Sequence, residues 1–250
     1  MVRAIMHGCN GRMGRVVSEL VKADDGIEFV AGVDSYTGCT NDYPVFESID
    51  KCEVEADVII DFSHPSLLTP ILHYAAEKGG IPAVLCTTGY TAEQTAELTK
   101  ASETQPIFYS RNMSLGINLM LELAKKAAKV LGDQFDIEIV EKHHNQKIDA
   151  PSGTALMLAD ALASVRDGET QYMYDRHAQR KKREKSEIGI HSVRGGTIVG
   201  EHEVIFAGNN EVITLSHSAQ SKELFAVGAV NAAVFMNGKG PGLYDMSALV

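Results

Sequence analysis

The sequence predicts an α/β protein, with a doubly wound parallel sheet followed by an α+β unit built on an open mixed sheet. Three observations carry this expectation. Strand-length apolar runs alternate with helix-period segments through the first hundred residues, a βαβα rhythm with short connections. Glycines punctuate the first strand-to-helix turn as G-C-N-G-R-M-G, residues 8–14. Past residue 115 the rhythm breaks, and late strand signals follow one another without helices between them.

Each element follows from its local pattern. Val2 to Met6 is a short apolar run ending in His7-Gly8, hence a buried strand and a turn. Met13, Val16, Val17, Leu20 and Val21 recur at helical spacing within Arg12 to Val21. Glu28 to Val33 is a second strand, ending at Asp34. Asp57 to Phe62 is uniformly apolar in its middle, as a strand covered on both faces should be. A helix from Ser66 to Glu77, a strand from Ala83 to Cys86, a helix from Ala92 to Ser102 and a strand from Pro106 to Tyr109 complete the rhythm. Leu115 to Leu131 is a long amphipathic helix, followed by a strand over Phe135 to Val140. Ser152 caps a helix that runs to Val165. Strands over Ile188 to Val193, Ile198 to Phe206 and Glu211 to Ser218 suggest a largely antiparallel arrangement. A last helix, Leu224 to Met236, returns to the first domain. The expected domains are 1–114 with 224–250, and 115–223.

The 250 residues suit one large or two modest domains, and 44% hydrophobic with 22% charged residues excludes a disordered or collagen-like chain. A net charge of −10 argues against nucleic-acid partners and anionic membranes. The excess acid is uneven: residues 1–114 carry a net −8, and residues 115–224 only −2. Cys9, Cys39, Cys52 and Cys86 form no C-x-x-C pair, so we expect reduced cysteines, no zinc and a cytoplasmic protein. The first residues are too brief for a signal peptide. Phe225 to Met236, the most apolar late stretch, is far shorter than the roughly twenty residues of a membrane span.

Gly8, Gly11 and Gly14 stand where a dinucleotide pyrophosphate approaches backbone N–H groups at a helix start. A tight turn needing three glycines is the plainer alternative. Asp34, twenty residues after Gly14, favours the Rossmann-type reading, because an acid there accepts from the adenosine ribose hydroxyls. Its charge repels a 2′-phosphate, and Ser35 offers no compensating cation, so NADH is the expected cofactor, with NADPH second. The segment Glu141 to Ala155 reads E-K-H-H-N-Q-K-I-D-A-P-S-G-T-A. It places His143, His144 and Lys147 just before a helix start at Ser152-Gly153-Thr154, an anion site beside a proton donor. The alternative is a solvated polar loop. Both histidines can serve one site only if the strand ends there. The run Arg180-Lys181-Lys182-Arg183 reads as a solvated, mobile loop. Arg194-Gly195-Gly196 reads as a strand entry with turn glycines, with a face toward the substrate as the alternative, and His191, His202 and His217 read as core or face residues.

These motifs resemble the 4-hydroxy-tetrahydrodipicolinate reductase (dihydrodipicolinate reductase) family over nearly the whole chain. The likeness runs through G-R-M-G, C-T-T-G-Y at Cys86 to Tyr90 and S-R-N-M-S-L-G-I-N at Ser110 to Asn118. It continues in H-H-x-x-K-x-D-A-P-S-G-T-A, R-G-G-x-x-x-G-E-H at Arg194 to His202 and P-G-L-Y-D-M at Pro241 to Met246. The resemblance implies His143 as proton donor and Lys147 as its partner. His144, Ser152, Gly153 and Thr154 fall at substrate-binding positions. Gly8, Cys9, Asn10, Gly11, Arg12, Met13, Asp34, Cys86, Thr87, Thr88, Ser110, Arg111, Asn112 and Met113 fall at cofactor contacts. It further implies hydride delivery to ring C4 of a cyclic imine dicarboxylate, protonation at C3, loss of water and a homotetramer formed through the second domain's sheet. Two departures stand out: many members have Gly where this chain has Cys86, and Arg where it has Lys222. A dehydrogenase of another imino-dicarboxylate and an NADH-binding regulator without turnover are the competing readings.

Overall fold

The structure, a computed structural model, describes residues 1–177 and 179–250. In chain order the elements are β1 (Val2–His7), α1 (Arg12–Val21), β2 (Ile27–Val33), β3 (Val45–Phe46), β4 (Val58–Asp61), α2 (Leu68–Glu77), β5 (Ala83–Leu85), α3 (Ala92–Ala101) and β6 (Pro106–Tyr109). Then follow α4 (Leu115–Leu131), β7 (Asp136–His143), α5 (Gly153–Ala163), β8 (Gln171–Met173), β9 (Glu187–Arg194), β10 (Gly200–Ala207), β11 (Val212–Ala219), α6 (Glu223–Met236) and β12 (Gly242–Tyr244). Met1–Leu115 with Glu223–Val250 form one unit, and Gly116–Lys222 the other.

The first unit holds a seven-stranded sheet in the order β12-β6-β5-β4-β1-β2-β3, parallel throughout. Successive side chains of a strand point to opposite faces, and the two faces bury different partners. Val2, Ala4 and Met6 pack with Val17 of α1 and the small apolar residues of α6. Ile5 and Ile59 pack with Leu68 and Ile71 of α2 and Leu98 of α3. Helices on both faces make the sheet doubly wound, as expected. β1 lies between β4 and β2, where the strand order reverses and a crevice opens beyond the carboxyl ends.

The second unit holds a five-stranded sheet in the order β11-β10-β7-β9-β8. One face buries Ile137, Ile139, Ile188, Ile190, Val204 and Phe206 against α4 and α5. The sheet is mixed, as expected, though less antiparallel than the run of late strands suggests. β7 pairs parallel with β9, and β8 with β9, while β10 pairs antiparallel with both β7 and β11. β9 and β10, adjacent in sequence, are separated by β7, so their connection crosses the end of β7.

Three short strands escape local pattern: β3, β8 and β12, each two or three residues long and each at a sheet edge. So short a segment carries no period, and its extended state is set by the strand it joins. β7 also runs three residues past Val140, to His143. The basic run is anchored rather than free. Arg183 pairs with Asp136 and Glu138 and donates to the carbonyls of Ile137 and Glu187, while Lys181 pairs with Glu184 and Glu187.

Candidate active site

At the carboxyl edge of the first sheet lies a cavity of about 420 Å³, lined among others by His7, Gly8, Gly11, Asp34, Ser63 and His64. Gly8 adopts φ +82°, and a side chain there would meet the Phe62 carbonyl at 2.7 Å. A Cβ on Gly14 would lie 2.1 Å from the Gly8 carbonyl oxygen. Glycine is therefore required for the turn and for the close seat of α1 on it. Gly11 is the N-cap of α1 and no side chain caps it, so the first-turn N–H groups remain available to an anion.

The Asp34 carboxylate accepts the N–H groups of Asn10 (2.9 Å) and Tyr36 (3.0 Å), which ties the end of β2 to the glycine turn. Asn10 donates from its side chain to the Tyr36 carbonyl, a second tie. Cys9 is fully buried, and burial with the nearby Asp34 charge pushes its thiol up to about 11. Arg12 is exposed, and Met13 packs partly on the core. Cys86, Thr87 and Thr88 follow β5, and Ser110 to Met113 follow β6, at the same sheet edge. The Cys86 thiol is buried and raised, and Met113 packs in the core. Thr87 turns its hydroxyl onto Asp61 at 2.6 Å. Ser110 donates to the Asn112 carbonyl, while Thr88 and Arg111 are exposed.

Sequence reasoning passed over Asp61. This fully buried carboxylate also contacts His7 Nδ1 at 2.8 Å and accepts the Ser63 N–H at 3.1 Å. It joins the ends of β1, β4 and β5 in one polar knot beneath the cavity. Its position at the carboxyl end of an apolar run was the available signal.

In the second unit β7 alternates, burying Ile137, Ile139, Glu141 and His143 on one face. Glu141 is fully buried. Its Oε2 lies 2.6 Å from His143 Nδ1 and accepts from Arg194 Nη1 at 2.8 Å. Its Oε1 accepts from Arg194 Nη2 at 2.7 Å and from the Ser152 N–H at 3.1 Å. Burial opposes ionisation of Glu141, yet hydrogen bonds from Arg194, His143 and Ser192 outweigh it and hold the carboxyl down to about 2. Burial lowers the His143 pKa, against the raising influence of Glu141. The His202 ring stands edge-on to His143 with centroids 5.2 Å apart, and burial draws its pKa down to about 4. A Cβ on Gly200 would lie 3.0 Å from His143 Nε2, so glycine keeps that nitrogen clear.

β7 ends at His143 and the chain turns at His144, whose carbonyl accepts the Lys147 N–H at 3.1 Å. The β9–β10 connection closes over this end: Gly195 donates to the His143 carbonyl, and Asn145 to that of Gly196. Lys147 Nζ pairs with Asp149 at 2.8 Å. Ser152 uses its hydroxyl to cap Ala155 of α5 and to meet His202 Nε2 at 3.0 Å. Gly153, exposed, and Thr154 form the first turn of α5. An imidazole beside Lys147, Arg194 and a helix start can hold an anion and pass it a proton. Glu141, Arg194 and His202 went unassigned by sequence reasoning. The i, i+2 spacing of Glu141 and His143 on one strand was a readable signal, and Arg194 and His202 bound the R-G-G-x-x-x-G-E-H motif, which carries no sign that they meet Glu141.

Two family models match the chain: dihydrodipicolinate reductase, N-terminus, over residues 2–113, and dihydrodipicolinate reductase, C-terminus, over residues 116–250. The chain is 54% identical over 250 residues to the 4-hydroxy-tetrahydrodipicolinate reductase of Caldanaerobacter subterraneus subsp. tengcongensis, covering 100% of this chain and 98% of that one. The enzyme of the same name from Clostridium tetani is 50% identical, with 100% and 97% covered. Among solved structures, a dipicolinate-bound dihydrodipicolinate reductase from Paenisporosarcina sp. TG-14 superposes with a TM-score of 0.82 at 26% identity, covering all of both chains. A glycine turn at the switch point of one unit, a histidine–lysine block in the other and matches across both place this chain in the dihydrodipicolinate reductase family.

Proposed function

We propose that the chain reduces 4-hydroxy-tetrahydrodipicolinate to tetrahydrodipicolinate with loss of water, using NAD(P)H, in the diaminopimelate route to lysine. The observation that carries this reading is His143, held by a buried carboxylate and within reach of the Lys147 and Arg194 charges, in a chain whose full-length relatives bear that enzyme's name. The first unit fits a dinucleotide, since its glycine turn leaves no room for side chains and lines the cavity. Gly8 to Met13, Asp34, Cys86 to Thr88 and Ser110 to Met113 would hold the cofactor, which when bound supplies the hydride. The second unit takes the substrate. His143 gives a proton to ring C3, and Lys147 stabilises the charge that accompanies it. His144 and the N–H groups of Gly153 and Thr154 hold a carboxylate, with Ser152 fixing the helix start.

NADH is the preferred cofactor. Asp34, Glu47 and Asp50 line the cavity without a lysine or arginine among its described lining residues, so a 2′-phosphate meets only like charge there. Oxidation of NADH coupled to enzymatically generated 4-hydroxy-tetrahydrodipicolinate tests both points when repeated with NADPH. Turnover with the higher kcat/KM for NADH is the expected result. No turnover with either cofactor overturns the activity, and an equal or higher value with NADPH overturns the preference.

The assembly is a homotetramer formed through the second sheet. Its face opposite α4 and α5 carries exposed Val193 and Val212 among the ion-paired Lys142, Glu201 and Glu203, a mixed surface of the kind a second copy can cover. Light scattering should give the mass of four chains; a monomer mass at working concentration contradicts this. No helix among the described residues is long and apolar enough to cross a membrane. A cytoplasmic location is part of the same reading, supported by four free cysteines.

A further inference from the structure

We infer that Glu141 is a positioning residue, which with Arg194 fixes His143 so that Nδ1 always carries a hydrogen and Nε2 alone gains and gives the proton. This rests on the reading of His143 as the general acid.

The inference stands on a count of donors and acceptors. Two carboxylate oxygens offer about four lone-pair sites. Arg194 fills two with Nη1 and Nη2, and the Ser152 backbone N–H fills a third. Neither donor can act as an acceptor, since a guanidinium keeps its protons and a peptide N–H has no lone pair to offer. A carboxylate so surrounded is ionised and accepts only. Ser192 adds a side-chain hydrogen bond, and His143 Nδ1, 2.6 Å from this ionised group, must be a donor to it. Deprotonation of the imidazolium then occurs at Nε2, the nitrogen beside Gly200.

Strand register builds this arrangement. Glu141 and His143 share a face of β7 at i, i+2. His143 pairs with Arg194 across the parallel β7–β9 ladder, so the guanidinium reaches back along the strand to Glu141. His202 pairs with Glu141 across the antiparallel ladder on the other side. Glu141 is fully buried and touches the proton donor only through the nitrogen that does not react. It acts on the reaction through His143, by orientation and by a fixed negative charge that favours the imidazolium.

Two measurements on the full-length chain test this. The first is ¹⁵N NMR of histidine-labelled wild type, with His143→Gln supplying the assignment. Neutral His143 should show hydrogen on Nδ1 and a bare Nε2; hydrogen on Nε2 in the neutral form overturns the inference. This experiment needs no reductase activity, so it stands apart from failure of the functional reading. The second is the pH profile of Glu141→Gln. An amide cannot accept all these donors and supplies no charge, so kcat should fall more than about tenfold, with KM changed much less. A general acid works below its pKa, so activity is lost as pH rises through that value. Without Glu141 the pKa of His143 drops, and the falling limb of kcat/KM should move to lower pH. Glu141→Asp, which keeps the charge, should return the limb toward its wild-type position. A Glu141→Gln enzyme that binds NADH normally yet keeps the wild-type limb overturns the inference. If Glu141→Gln fails to fold, the tautomer in the wild type decides.

Discussion

Replacing His143 by glutamine is expected to lower kcat by about 10²–10⁴-fold, with KM for the dicarboxylate changed far less. Glutamine approximates the reach of histidine and can still meet Glu141, so the pocket keeps its shape. Its amide cannot deliver a proton near neutral pH, so the loss falls on the transition state rather than on binding. Binding of NADH, assigned to the first unit, should be unchanged in a fluorescence titration. That control separates a chemical defect from a misfolded chain. Near-normal turnover by this variant would remove His143 from the role assigned to it.

Gly14→Ala should weaken NADH binding by at least about tenfold, equivalent to 1.4 kcal/mol, and should also lower Tm. The added methyl would lie 2.1 Å from the Gly8 carbonyl oxygen and 2.7 Å from the Cys9 Cα. Both obstacles are backbone, so no side-chain rotation relieves the clash. α1 must lift from the turn, carrying its uncapped N–H groups away from the place where a pyrophosphate would sit. Overpacking of this kind costs about 1–3 kcal/mol, and each kcal/mol lowers Tm by about 2–4 °C in a chain of this size. Thermal unfolding followed alongside an NADH titration reads both effects. Wild-type affinity and Tm together would show that the turn tolerates a side chain and that its glycine has another cause.

Much of the fold was legible because its signals are local. The helical spacing of Met13, Val16, Val17 and Leu20 marks α1, and the uninterrupted apolar middle of Asp57 to Phe62 marks a strand covered on both faces. The second sheet was harder. Consecutive strand signals from residue 188 onward suggested neighbours, but β7 inserts between β9 and β10. Pairing depends on which apolar faces meet in three dimensions, and adjacency in sequence is only a guide to it. The edge strands β3, β8 and β12 exist because a neighbouring strand offers hydrogen bonds, which no two- or three-residue pattern can announce.

The sequence by itself determined the longer elements, the parallel sheet with its glycine turn, and the clustering of His143, His144 and Lys147 before a helix start. Each of these is written within a short window of the chain, where periodicity, capping and turn chemistry act. Only the tertiary structure decided that Glu141 is buried, that Arg194 reaches it from 53 residues away, and that His202 and Ser152 meet behind it. A buried carboxylate is tolerable only where enough donors converge on it. Those donors come from β7, β9 and the start of α5, and the sheet register that assembles them is a property of the whole fold.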